Sequence, residues 1–348
     1  MKIAAAGSAL PAHYYDQPTI IRWLQGLWAD APAVAARIDQ LHRRVGVSGR
    51  HLALPLERYR ELDDFGACNR EWTRCALELG ERAVGEALRR AGLQPRDVDV
   101  LFFTTVTGLA SPSLDARLMN RMDFRADTRR LPLFGLGCVA GAAAVARAAD
   151  WLRAEPRGVA LVLSVELCSL TLQRDDHSVA NLISAGLFGD GAAAVVLVGA
   201  ERAATGPSVL ASRSVFYPHT EEVMGWDIGS HGFRIVLSPA VADLAQRRLP
   251  GDVAAFLRDQ SVDRASIASW VCHPGGPKVL QALQDGLGLA DADLALSREA
   301  LATVGNLSSA SVLLVLQQTL QQRPPPGSLG LMLAMGPGFC SELLLLRW

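Results

Sequence analysis

The chain has 348 residues, half of them hydrophobic and 20% charged, which fits a folded globular protein and excludes a disordered or fibrous one. At about 150 residues per domain, the length gives a prior of two domains. Lys plus Arg (34) and Asp plus Glu (35) leave a net charge of −1, so no global field favours nucleic acid or an anionic membrane, and no apolar run is long enough to span a membrane.

In chain order, the opening segment MKIAAAGSAL reads as a first strand and not as a signal peptide, because Pro11, His13 and Asp16 follow at once. Short helix-forming stretches in residues 20–64 read as an insertion or a dimerisation arm. Residues 70–92 carry apolar side chains at helical spacing, and Gly92 and Pro95 end that helix. Short apolar runs predict buried strands at 99–106, 158–165, 192–198, 268–272 and 329–334. Helices alternating with such strands predict an α/β fold. The RPPPG segment at 323–327 reads as a surface turn.

The second half of the chain reads as a copy of the first. Thr105 and Cys138 are 33 positions apart, as are His273 and Asn306. In each case a strand leads through a loop and a helix to a second loop that opens an apolar helix. This spacing suggests two similar halves, 1–205 and 206–348, divided near 203–206.

Six scattered cysteines, Cys68, Cys75, Cys138, Cys168, Cys272 and Cys340, form no CxxC and no paired spacing with His. That argues for a reducing, cytoplasmic compartment and against a zinc site. Cys138 stands between glycines in GLGCVAG, ahead of an Ala-rich helix. Helix N-terminal amides lower a thiol pKa, so Cys138 is expected to lean towards thiolate. The alternatives are a buried structural Cys, or a dinucleotide loop whose spacing is one residue too long. His273, in CHPGGP, follows a strand and is placed to point into a cleft, or is a satisfied structural His. Cys272 before it is expected to be the last buried residue of that strand. Asn306, in GNLSS, reads as a helix N-cap or as an amide donor for a developing oxyanion. The GPG at 336–338 is expected to shape a cavity wall, and FGDG at 188–191 to turn from a helix into a strand. Together these motifs supply a thiol nucleophile, an imidazole and a carboxamide, a set suited to acyl transfer through a thioester.

Cys138 in GLGCVAG, His273 in CHPGGP, Asn306 in GNLSSAS, the segment LFGDGAAAVVLV and the late GPG, in this order, resemble the type III polyketide synthases, the chalcone-synthase-like family. Ketoacyl-ACP synthase III enzymes share Cys, His and Asn, but typically carry HQAN where this chain has HPGG. The resemblance implies a thiolase fold, five-layered αβαβα with two pseudo-equivalent halves, working as a homodimer. It implies that Cys138 takes a starter acyl group from acyl-CoA, while His273 and Asn306 stabilise the enolate left when malonyl-CoA loses CO2. His273 can also hold Cys138 as a thiolate–imidazolium pair. No metal and no cofactor is needed, since the CoA thioesters are substrates.

By the same resemblance, Phe188 and Phe233 take the two gatekeeper positions. Val106, Cys168, Thr171, Ser184, Trp226 and Ser308 align with cavity-lining positions, and Arg37, Arg44 and Lys278 with CoA contacts. Several lining residues differ from the plant chalcone synthase pattern, which disfavours a flavonoid starter. The stretch 107–117, TGLASPSLDAR, resembles the bacterial alkylpyrone and alkylresorcinol branch, which implies a fatty acyl-CoA starter. The rivals are a single-condensation ketoacyl synthase and a catalytically silent acyl- or CoA-binding protein on the same fold. A Cys protease does not fit HPGG followed by GNLSS.

Overall fold

The computed structural model describes residues 1–348. The first half runs β1 (Lys2–Ala9), β2 (His13–Asp16), α1 (Gln17–Leu27), α2 (Pro32–His42), β3 (Gly49–Leu52), α3 (Phe65–Ala91), β4 (Val100–Thr105), α4 (Leu114–Met119), β5 (Arg129–Phe134), α5 (Ala140–Ala154), β6 (Val159–Leu167), α6 (Val179–Leu187) and β7 (Asp190–Val198). The second runs β8 (Ser208–Phe216), β9 (Met224–Gly229), β10 (Gly232–Leu237), α7 (Ala240–Asp259), β11 (Ile267–Cys272), α8 (Pro277–Leu287), α9 (Ala295–Val304), α10 (Ser309–Gln322), β12 (Leu329–Gly336) and β13 (Cys340–Arg347).

Nine strands form one hydrogen-bonded ladder in the order β11-β12-β13-β8-β1-β7-β6-β4-β5. Read outward from the middle, the two sides repeat one plan. The first strand pairs antiparallel with the last, the last antiparallel with the one before it, and that one parallel with the second. Only β5 has no counterpart in the second half. The sides meet at one residue pair, Lys2 with Ser208, and the connection from β7 to β8 spans residues 199–207.

Local chemistry explains the elements. β6 and β7 are buried along their whole length, so they read as continuous apolar runs and not as alternating ones. α3 starts where the Asp64 carboxylate accepts the Ala67 N–H at 2.6 Å and stops at Gly92, in the left-handed region at φ 68°. The central helices α5 and α10 touch each other and both sides of the ladder. They fill one core with residues such as Val145, Leu152, Val312 and Leu316. Alanines on α5 let the backbones approach closely: a Cβ on Gly141 would fall 2.2 Å from the Ser309 carbonyl oxygen. α3 covers the outer face of the first side, and α7 with α8 that of the second. The result is five layers, α/β/α/β/α.

Of the two forms expected for segment 20–64, an insertion or an arm, the structure does not show the arm. Ile20, Leu24 and Ile38 of α1 and α2 pack on Leu182 of α6 in their own core, which seats this segment against the interior of its own chain.

Candidate active site

Cys138 lies in a short 3-10 turn, Gly137–Val139, at the foot of α5. Gly137 holds φ +56°, and a Cβ there would strike Pro337 at 2.5 Å. A Cβ on Gly336 would strike the Val139 nitrogen at 2.6 Å. The GPG turn therefore packs directly on the turn that presents the thiol, which explains why both motifs are rich in glycine.

His273 leaves the end of β11, and its N–H still bonds the Leu333 carbonyl at 3.0 Å, extending the ladder by one residue. Cys272 before it is buried on the other side. Asn306 sits between α9 and α10, where Gly305 turns with φ +74°. Its backbone N–H donates to the Leu187 carbonyl at 2.9 Å, and its carbonyl accepts from the Gly189 N–H at 3.0 Å. The carboxamide is oriented by its oxygen, which accepts from the Ser308 N–H at 2.8 Å and the Ser311 hydroxyl at 3.4 Å. Nδ2 donates to the Gly275 carbonyl at 3.2 Å and also bonds the Cys138 sulfur. Asn306 is not the cap of α10; the cap position belongs to Ser308.

Cys138, His273 and Asn306 line one cavity of about 410 Å3. Its walls are mostly apolar, with Phe339 and Met335 at the second-half side and Phe188 at the first. Arg44 and Lys278 stand on its rim and are exposed, whereas Arg37 is exposed on α2 and does not line it. A second, smaller cavity of about 50 Å3 lies on the other side of Phe188, which lines both. Cys168, Thr171, Ser184 and Trp226 line that inner space.

Three residues expected at the cavity lie elsewhere. Phe233 is buried in an aromatic cluster, 5.5 Å from Phe65 and 5.7 Å from Trp226 between ring centroids, and lines neither space. Ile235, two residues on and paired with Trp226 across the hairpin, lines the inner cavity instead. Val106 is buried behind the site, where its N–H donates to Glu166 at 3.1 Å. Ser308 lines neither cavity but lies 3.7 Å from the Cys138 sulfur.

The electrostatics correct the thiolate expectation. Burial pushes the Cys138 thiol up to about 12, outweighing its bonds to Ser308 and Asn306. Burial pulls His273 down to about 4, and neither ring nitrogen has a hydrogen-bond partner. No hydrogen bond or ion pair joins the two, so at neutral pH the site rests as a neutral thiol and a neutral imidazole. The helix amides at Cys138 do not offset the loss of water.

Glu166 was not anticipated. It ends an apolar strand and is fully buried, and desolvation lifts its carboxyl to about 7. It accepts from Thr107 Oγ1 at 2.9 Å, from Val106 N–H and from Ser309 at the start of α10. A lone acid at the end of VALVLSVEL was the available signal. Asp190 does form the expected turn, but it is buried and accepts from Ala53 N–H at 2.6 Å and Ser169 N–H at 2.8 Å.

Five layers, duplicated strand order and a Cys, His and Asn around one tunnel define a condensing enzyme of the thiolase fold. Residues 66–210 match the family described as FAE1/type III polyketide synthase-like protein, and residues 208–348 match the C-terminal domain of chalcone and stilbene synthases. The chain belongs to the type III polyketide synthase family and is an acyltransferase-type condensing enzyme. It is 50% identical to a 1,3,6,8-tetrahydroxynaphthalene synthase of Streptomyces peucetius subsp. caesius, over 99% of this chain and 93% of that protein. It is 34% identical to a phloroglucinol synthase of Pseudomonas fluorescens, over 97% and 96%. The crystal structure of the tetrahydroxynaphthalene synthase of Streptomyces coelicolor A3(2) superposes with a TM-score of 0.93 at 31% identity, covering 100% of this chain and 99% of that one. No helix is long and apolar enough to cross a membrane.

Proposed function

We propose that this synthase builds a polyhydroxylated aromatic product iteratively from malonyl-CoA, with Cys138 as nucleophile and His273 and Asn306 as the decarboxylation pair. The carrying observation is that these three side chains, from three separate segments, line one cavity, with both ring nitrogens of His273 left unpaired.

A neutral imidazole has one lone pair and one N–H, and both are used. In loading, the lone pair of His273 takes the Cys138 proton as sulfur attacks the acyl-CoA carbonyl; the proton then leaves with the CoA thiol. In extension, the His273 N–H and the second N–H of Asn306 Nδ2, released from the Cys138 sulfur once that is acylated, bond the malonyl thioester oxygen. The bond to the terminal carboxylate breaks, CO2 departs, and its electron pair becomes an enolate on that oxygen. The enolate carbon attacks the Cys138 thioester, the new carbon–carbon bond forms, and the Cys138 sulfur is released. Return of the longer chain to Cys138 permits another round. Arg44 and Lys278 on the rim suit the CoA phosphates. The chemistry calls on no cofactor.

Two things favour a short starter. The relative at 50% identity is named for a tetrahydroxynaphthalene, whose ring carbons can all come from two-carbon units. The inner cavity, at about 50 Å3, is also much smaller than the outer one of about 410 Å3, which favours a short chain over a long alkyl one. A fatty acyl-CoA starter, suggested by residues 107–117, is the second reading and requires that space to open. Mass spectrometry of products from malonyl-CoA alone, and with acyl-CoAs of graded length, separates them. An aromatic product from malonyl-CoA alone supports the first reading; strict need for a long acyl-CoA sinks it.

A homodimer is part of the proposal. β5 is an outer strand with one free edge, and Leu131 and Phe134 on it are 38% and 48% exposed. An unpaired edge that carries exposed apolar side chains invites a second copy. Six free cysteines support a reducing, cytoplasmic setting.

A further inference from the structure

The inner cavity is mostly apolar, and three buried donors on its lining residues have nothing to donate to. Arg50 is buried, and its Nη1 donates to Gln17 Oε1 at 3.0 Å and to the Gly186 carbonyl, while Nη2 donates to the Ala185 carbonyl. Its Nε has no partner. The Ser184 hydroxyl, on the α6 turn that leads to Phe188, is buried without a partner, and so is Nε1 of Trp23. All three residues line the same small space.

The neighbouring groups do not satisfy them. The Asp190 carboxylate is engaged by Ala53 and Ser169 and makes no ion pair with Arg50. The Tyr59 hydroxyl takes the Leu54 N–H at 3.2 Å and bonds Ser169. An alkyl chain entering here leaves three buried donors unpaired, which costs free energy; a chain with an oxygen acceptor at its far end removes that cost. The fixed cation among the three adds attraction for a partly or fully negative oxygen.

We propose that Arg50, Ser184 and Trp23 make the inner cavity selective for acyl chains bearing an oxygen acceptor at the far end, a ketone or a carboxylate. This rests on the synthase reading and deepens it. A growing poly-β-keto chain and a dicarboxylic starter both present such an oxygen, and a saturated fatty chain does not. Sites built to bond a ligand's polar group discriminate strongly against the analogue that lacks it.

Calorimetric titration of the full-length Cys138→Ala protein with acetoacetyl-CoA, succinyl-CoA and butyryl-CoA tests this without any need for turnover. Acetoacetyl and butyryl differ by one ketone, and succinyl carries the carboxylate, so the arms separate the two sources. The expected result is that one or both oxygen-bearing thioesters bind about tenfold more tightly than butyryl-CoA. Adding Ser184→Ala, or Trp23→Phe (which keeps most of the ring and loses its N–H), should cut that ratio several-fold. Equal affinities for the three thioesters, or a ratio that neither substitution moves beyond twofold, overturns the proposal; a cavity that merely holds water gives that outcome. Failure of the synthase reading would appear separately, as no polyketide from malonyl-CoA with the unsubstituted protein, and would leave these ratios measurable.

Discussion

Burial opposes charge on both Cys138 and His273, and this sets the order of events at the site. A resting thiol at about 12 and an imidazole at about 4 transfer a proton only when an acyl thioester is in place to accept the sulfur. Iodoacetamide labelling of Cys138 should therefore be slow near neutrality and rise with pH without a plateau. A plateau across roughly pH 6–8 would mean a preformed thiolate–imidazolium pair. Glu166 gives a second pH signature. Its folded pKa, about 7, lies above the ordinary 4.5, so the stability it contributes is complete below about 4.5 and fades as pH rises through 7. Glu166→Gln removes that loss. Its urea midpoint relative to the unsubstituted protein should rise between pH 5 and pH 8, and a flat difference would contradict the burial argument. At this scale the sequence revealed Cys138, His273 and Asn306, because glycines and prolines bracket each one. Arg50 and Glu166 were harder to see: their partners lie across long stretches of chain, Gly186 for one and Ser309 for the other.

Elements were legible where periodicity or a continuous apolar run marked them. The helix expected at 70–92 is Phe65–Ala91, ended by Gly92 as expected, and the five strands fall within two residues of their expected bounds. β5, β8, β13 and the β9–β10 hairpin were not anticipated. β5 lies on an edge, exposed and carrying Arg129, Arg130 and Pro132, so it shows neither alternation nor a buried run. The hairpin pairs only with itself, and its register places Trp226 opposite Ile235. Phe233 and Ile235 share one face of the hairpin, and it is Ile235, opposite Trp226, that reaches the inner cavity. The contact between α5 and α10 offers a test of how tightly these elements fix the site. Gly141→Ala forces a Cβ against the Ser309 carbonyl and should push the start of α10, with Ser308, away from Cys138. Overpacking of this kind costs about 1–3 kcal/mol, so the denaturation midpoint and the rate of Cys138 acylation should fall together. Unchanged stability and acylation would show that α10 yields without consequence.

The whole molecule is two copies of one plan around α5 and α10, and the catalytic groups are shared between them. Cys138 comes from the first copy, and His273 and Asn306 from equivalent loops of the second. The equal spacing of 33 positions hinted at this, although the intervening elements differ: β5 stands in the first half where the second has only helices. The free edge of β5 belongs to this scale too. Leu131→Asp should turn a dimer into a monomer by sedimentation velocity, and a monomeric unsubstituted protein would contradict the proposed assembly. The central claim is that Cys138 carries the growing chain while His273 and Asn306 perform the decarboxylation. It is tested most directly by giving radiolabelled malonyl-CoA to the Cys138→Ala protein and following polyketide and CO2 together. The account predicts that polyketide disappears while CO2 release persists. Polyketide formed at the rate of the unsubstituted protein would contradict it.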